Sequence, residues 1–175
     1  MPIVAPPERE IWQGDIFGVV PWSVIKTLEY VHPTGSPLKP YVLTHRPEIG
    51  QRGSLVVTSG SDLAMLISHE CVVDKGGRAP LTFARILPIT THQEAQRTHI
   101  RSGANLQTFH IEANDVVSLP ECYADFRLLS AIDPHLMASF KRLASLTAEG
   151  RASLRQQLIS YWTRLEPRPS EGGAS

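Results

Sequence analysis

Short β-patterned runs, each closed by glycine or proline, fill most of this chain, and helical patterns come late. That order constrains the fold more than any other feature. A parallel sheet needs strand and helix in regular alternation, whereas strands in direct succession pair with their neighbours through short turns. The expected class is mainly β (β+α): a small, largely antiparallel barrel with a short internal helix and a C-terminal helix.

The runs are read as follows. Residues 12–20 form a first strand with a turn before it, which Pro21 ends or bends because proline cannot donate to a ladder. Residues 31–53 carry Pro33, Gly35, Pro37, Pro40, Pro47, Gly50 and Gly53, and read as an irregular insertion with one short strand at about 41–44. Two β-rich runs, 54–59 and 63–73, flank the hairpin-like Gly60-Ser61-Asp62. The next strand, 81–89, alternates so that Leu81, Phe83, Arg85 and Leu87 share one face, with Thr82, Ala84 and Ile86 on the other. Thr91 and Glu94 read as a capping box for a helix over 93–101, stopped by Gly103. Residues 106–112 and 122–132 are the last expected strands. Asp133 and Pro134 then read as an N-cap with proline at the first helical position. A final helix over 148–165 carries Leu154, Leu158, Tyr161 and Leu165 as its buried stripe.

The resulting organisation is a Pro-rich lead (1–11), a barrel domain (12–132) with the insertion 31–53, a C-terminal helical extension (133–166) and a disordered tail (167–175). At 175 residues the chain is long enough to bury its own core. Lys plus Arg equals Asp plus Glu at 17 each, so no global charge draws it to nucleic acid or to an anionic membrane, although a local basic face is compatible with this balance. No signal-peptide pattern opens the sequence, no apolar run approaches a membrane span, and two cysteines make no disulfide framework. A cytoplasmic location with reduced thiols is expected. The sequence contains no phosphate-binding glycine loop, nucleophile elbow or helical His-Glu-x-x-His, which sets aside kinase, dinucleotide dehydrogenase, α/β-hydrolase and zincin readings.

Reactive side chains concentrate where an apolar run enters Ser68-His69-Glu70-Cys71-Val72-Val73-Asp74-Lys75. On an extended strand His69 and Cys71 would share one face, with Ser68 and Glu70 on the other. Three chemistries fit. A metal, zinc being the natural one, needs three or four ligands: His69 and Cys71 would supply two, with Cys122, His110 or Asp125 from later strands. A thiolate nucleophile would be Cys71, with His69 or His110 as base and Asp74 or Glu70 as the orienting carboxylate. A binding module would present Arg85, Arg127, Lys75 and His69 to a nucleotide or RNA phosphate. The competing readings are a small packed cysteine and arginines consumed in ion pairs. His32, His45, His92, His99 and His135 read as exposed histidines in loops or on polar helix faces.

The pieces Gln13-Gly14-Asp15-Ile16-Phe17, Ala64-Met65-Leu66-Ile67-Ser68, Phe83-Ala84-Arg85-Ile86-Leu87-Pro88-Ile89-Thr90 and Tyr123-Ala124-Asp125-Phe126-Arg127-Leu128-Leu129 occur in an order that resembles the MazF/PemK-like toxin family. The resemblance covers about residues 12–132. It implies an SH3-like barrel that acts on single-stranded RNA, within a bacterial toxin–antitoxin, mobile-element or defence module. The family's arginine, immediately before the second strand, is missing: Asp62-Leu63-Ala64 stands there, and Arg46 and Arg52 lie upstream. Ser68–Lys75 is also similar to a Ser/Thr-His-x-Cys-x-x-Asp-type motif of other bacterial proteins, with 123–127 and 142–146 as its companions. The expected site is therefore His69, Cys71, Asp74 and Arg85 as catalytic groups, with Ser68, Glu70, Lys75, His110 and Arg127 binding. A non-catalytic protein- or nucleotide-binding module, or a small metal-binding protein, is the alternative. Tyr161 and Trp162 on the last helix, with Arg155 and Arg164 nearby, further suggest a protein partner or self-association through that helix and the Pro-rich loop.

Overall fold

A computed structural model of the chain describes residues 3–7, 10–23, 29–31, 41–42, 54–55, 59–69, 72 and 79–163. In chain order its strands are β1 (Val4–Ala5), β2 (Ile16–Ser23), β3 (Glu29–Val31), β4 (Tyr41–Val42), β5 (Ser54–Leu55), β6 (Ser59–Leu66), β7 (Leu81–Pro88), β8 (Thr108–Ile111), β9 (Cys122–Ile132) and β10 (Lys141–Leu146). Among the described residues they are joined by the α-helices α1 (Glu94–Arg101) and α2 (Ala148–Thr163), with short 3-10 turns at Ile89–Thr91, Asp115–Val117 and Pro134–Ser139. The fold is mainly β, as the succession of runs implied.

The chain divides into two units, Met1–Val20 with Asp62–Ser175, and Pro21–Ser61. In the smaller unit β3 lies between β4 and β5, with Tyr30 opposite both Tyr41 and Leu55. The larger unit is built on a seven-stranded sheet of order β1-β10-β2-β6-β7-β9-β8. Its two edges approach each other: Asn114, just beyond β8, donates its side-chain amide to the Val4 carbonyl of β1 at 2.8 Å. One side-chain hydrogen bond thus bridges the seam of a barrel-like sheet.

Alternation along the strands fills both faces. One core holds Ile16, Met65, Ile86, Phe109, Ile111, Ala124, Phe126 and Leu146, and α2 covers it with Leu154 and Leu158. The other holds Phe17, Leu66, Leu81, Phe83 and Ile132, and the turn after β9 covers it with Met137 and Phe140. Phe83 meets Phe17 and Phe140 edge-on, at centroid distances of 5.6 and 6.5 Å. A third, smaller cluster of Ile89, Ile100 and Tyr123 fastens α1 to β9.

Several local expectations give way. Residues 12–15 are a tight turn and not strand: the Asp15 carboxylate accepts from Trp12 N at 3.0 Å, and Gly14, at φ +95°, passes so close to Leu146 that a Cβ would lie 2.6 Å from its Cδ1. Pro21 sits inside β2, not at its end. Gly60-Ser61-Asp62 makes no turn but runs within β6. That strand ends at Leu66, not at residue 73. Its ladder stops because the Ser68 hydroxyl accepts the Thr82 N–H at 2.8 Å, and a turn from Val72 N to His69 O follows.

Thr91 donates back to the Pro88 carbonyl, so it does not cap α1, whose N-cap is Gln93 with no side-chain bond. Two strands were hidden in segments read as lead and helical extension. β1 and β10 pair with each other, and β10 also pairs with β2. Lys141-Arg142-Leu143-Ala144 is composed of good helix formers, and long-range pairing wins over that propensity. The proposed insertion core and the tail beyond 163 lie outside the described residues. Among the described residues, no helix is long and apolar enough to cross a membrane.

Candidate functional site: a cleft under the first helix

The register of β9 builds the best-formed site. Phe83 and Ala84 of β7 face Ser130 and Leu129, but the next residue, Arg85, faces Asp125. Residues 126–128 therefore bulge out of the β7–β9 ladder, and such a bulge re-aims side chains. The alternation expected along β7 holds: Leu81 and Phe83 enter one core, Ala84 and Ile86 the other. Freed from the β7 ladder, Arg127 N donates to the Asp125 carboxylate at 2.9 Å, while its Nε and Nη2 reach the same carboxylate at 2.9 and 2.6 Å. Asp125 is buried and Arg127 is half exposed, so a buried anion holds one edge of a guanidinium whose other edge faces water.

That guanidinium borders a cleft of about 520 Å³ between α1 and β8–β9, lined also by His92, Gln96, His99, Asn105, Thr108 and Tyr123. Gln96 and His99 lie three residues apart on one side of α1, and His92 stands in the extended segment just before the helix. Arg97 steadies the entry to the helix by donating to the carbonyls of His92 and Thr90 at 2.7 and 3.1 Å. His92 Nε2 lies 2.7 Å from the Tyr123 hydroxyl, and its Nδ1 lies 3.3 Å from Gln96 Oε1. Burial first, and the Asp125 charge second, push the Tyr123 phenol above its ordinary range, so it keeps its proton. Tyr123, His92 and Gln96 form a hydrogen-bonded chain at the cleft wall.

The far end of α1 is tied down by charge. Arg101 donates to both carboxylate oxygens of Glu121 at 2.7 and 2.9 Å and also reaches Glu94 at 3.1 Å, while His110 Nε2 lies 2.9 Å from Glu121. The Arg101 hydrogen bond draws the Glu121 carboxyl down to about 2.

Only part of the expected site lies within the described residues. Glu70, Cys71, Asp74 and Lys75 lie outside the described residues. His69 is exposed and stands beyond the end of β6. Ser68 is used in ending the ladder. Arg85 pairs with Asp62 at 2.7 Å, the residue standing where the resembled family carries its arginine. His110 belongs to the Glu121 cluster, and among the described members of the expected set Arg127 alone reaches the cleft. The Cys122 thiol is buried in the core, and burial pushes it up to about 12. Among the described residues no three His, Cys, Asp or Glu side chains are grouped as a metal would require.

Of the histidines read from sequence as exposed, His99 is exposed and His92 half-buried, and both line the cleft. On α2, Tyr161 packs on Phe126 with centroids 5.6 Å apart, while Trp162 and Ile159 stand largely exposed.

Fold and site together define a mainly β antiparallel protein with an imidazole-, phenol- and guanidinium-lined cleft. No protein-family model matches the chain, and no curated protein matches it either.

Proposed function

We propose that this chain is an RNA-directed barrel protein whose cleft under α1 holds a backbone phosphate of single-stranded RNA and cleaves the adjacent phosphodiester. The observation that carries the reading is the half-exposed Arg127, fixed by buried Asp125, beside two histidines and a protonated phenol. A pre-oriented guanidinium suits two phosphate oxygens and the extra charge that develops in the transition state. His99 takes the proton of the ribose 2′-hydroxyl as its oxygen bonds to phosphorus. The bond to the 5′-oxygen breaks, and that oxygen receives the Tyr123 phenolic proton; the proton taken by His99 then passes through water to the phenolate, which restores both groups. The products are a 2′,3′-cyclic phosphate and a 5′-hydroxyl end. The order of strand pieces resembling MazF/PemK-like toxins supports the same substrate class and the toxin–antitoxin or defence setting.

The test is cleavage of a fluorescent single-stranded RNA at moderate salt. His99→Ala should lower kcat by about 10²–10⁴-fold, the usual range for a general base. Arg127→Ala should weaken binding and flatten its salt dependence. Loss in His69→Ala or Arg85→Ala with His99→Ala unaffected would return the site to 68–75. A wild-type chain that neither cleaves nor binds RNA removes the nucleic-acid reading.

A further inference from the structure

A second depression, of about 390 Å³, lies along α2 and is lined by Gly103, Leu106, Ala152, Ser153, Gln156 and Gln157. The segment 103–108 separates it from the cleft: Asn105 and Thr108 line the cleft, while Gly103 and Leu106 line the depression. This dividing wall is fixed from the α2 side, because the Gln157 amide donates to the Asn105 carbonyl at 3.1 Å and also to that of Thr108. The chemistry on its two sides differs sharply. The cleft carries an arginine and two histidines, whereas the depression carries no ionisable side chain. It offers small residues, one leucine, a hydroxyl and side-chain amides.

We infer that this depression is a nucleobase pocket for the nucleotide flanking the phosphate held at Arg127. The inference rests on the RNA-directed reading of the cleft. A nucleobase is flat, uncharged and edged with donors and acceptors, so it suits an apolar floor with amides at the rim. Leu106 and the small Gly103 and Ala152 leave room for the ring. Ser153 and Gln156, both exposed on α2, present the donors and acceptors that tell one base edge from another. A charged pocket would instead hold a second phosphate, and the depression has nothing to neutralise one. A single-stranded chain crossing the wall would thus place charge on one side and a base on the other.

Three ligands decide the matter by titration calorimetry: a trinucleotide, the same trinucleotide lacking one terminal base, and ribose 5-phosphate. The wild-type chain should bind the complete trinucleotide about tenfold more tightly than the one lacking a base, as expected for a recognised base edge. Ala152→Phe, which fills the pocket at an exposed helical position, should abolish that difference and leave ribose 5-phosphate binding unchanged. Gln156→Ala should alter the preference among the four bases at that position. If both variants bind the trinucleotide as the wild type does, while ribose 5-phosphate still binds, the base pocket is overturned and the cleft stands. If no ligand binds the wild type, the cleft reading and the pocket fall together.

Discussion

At the scale of single residues, burial decides which ion pairs matter. Asp15 is fully buried, and Arg142 of β10 donates to its carboxylate at 2.8 Å and also to the Glu10 carbonyl. Removing the cation would strand an anion in the core. Arg142→Gln should therefore cost about 3–5 kcal/mol in urea unfolding. Arg85→Gln breaks a pair of similar length, but Arg85 and Asp62 are 29% and 36% exposed, so the cost should stay within about 1 kcal/mol. Equal losses would mean that something other than burial sets the energetics. The same logic explains what the sequence concealed at this scale. The Asp125–Arg127 ion pair was legible, because the two lie two residues apart on a run read as strand. The cleft was not, since an exposed histidine such as His99 looks alike in sequence whether or not a cleft lies beside it.

At the scale of elements, α1 is short and buries only Ile100, so its attachment depends on charge as well as on packing. Glu121 has its carboxyl drawn down to about 2 in the folded chain from an ordinary 4.5, chiefly by Arg101. A depressed carboxyl stabilises the fold above its unfolded value, and that contribution is lost as pH falls through the folded one. Stability should therefore drop between about pH 4.5 and 2, and Glu121→Gln should flatten that limb. Urea midpoints across this range check it, and an unchanged acid limb in the variant would show that other carboxylates carry it. Elements defined by local pattern were legible. Residues 122–132 read as a strand and form one, Asp133 accepts from His135 N at the head of its turn, and α2 starts at Ala148 with Leu154 and Leu158 buried. What escaped depended on distant partners. β1 is two residues long and exists because β10 lies beside it, and the bulge at 126–128 exists only in register with β7.

At the scale of the whole molecule, the larger unit is a curled sheet with cores on both faces and its edges bridged at Asn114 and Val4. Apolar alternation announced such a sheet, but strand order could not be read from it. β10, which is late in sequence, lies between the two earliest strands.

That placement sets a timetable for the newborn chain. Val4 and its partner Leu146 are 142 residues apart. At a ribosomal pace of about 5–20 residues per second, the first strand waits about 7–28 s for its neighbour to be made. Until then the turn at 12–15 has neither Arg142 for its aspartate nor Leu146 beneath its glycine. Nascent chains halted before Lys141 should be cut by protease between residues 3 and 15, and released chains should resist there. Early protection would mean that another part of the chain shelters this segment during synthesis, so the length of the wait measures how long the protein depends on its surroundings.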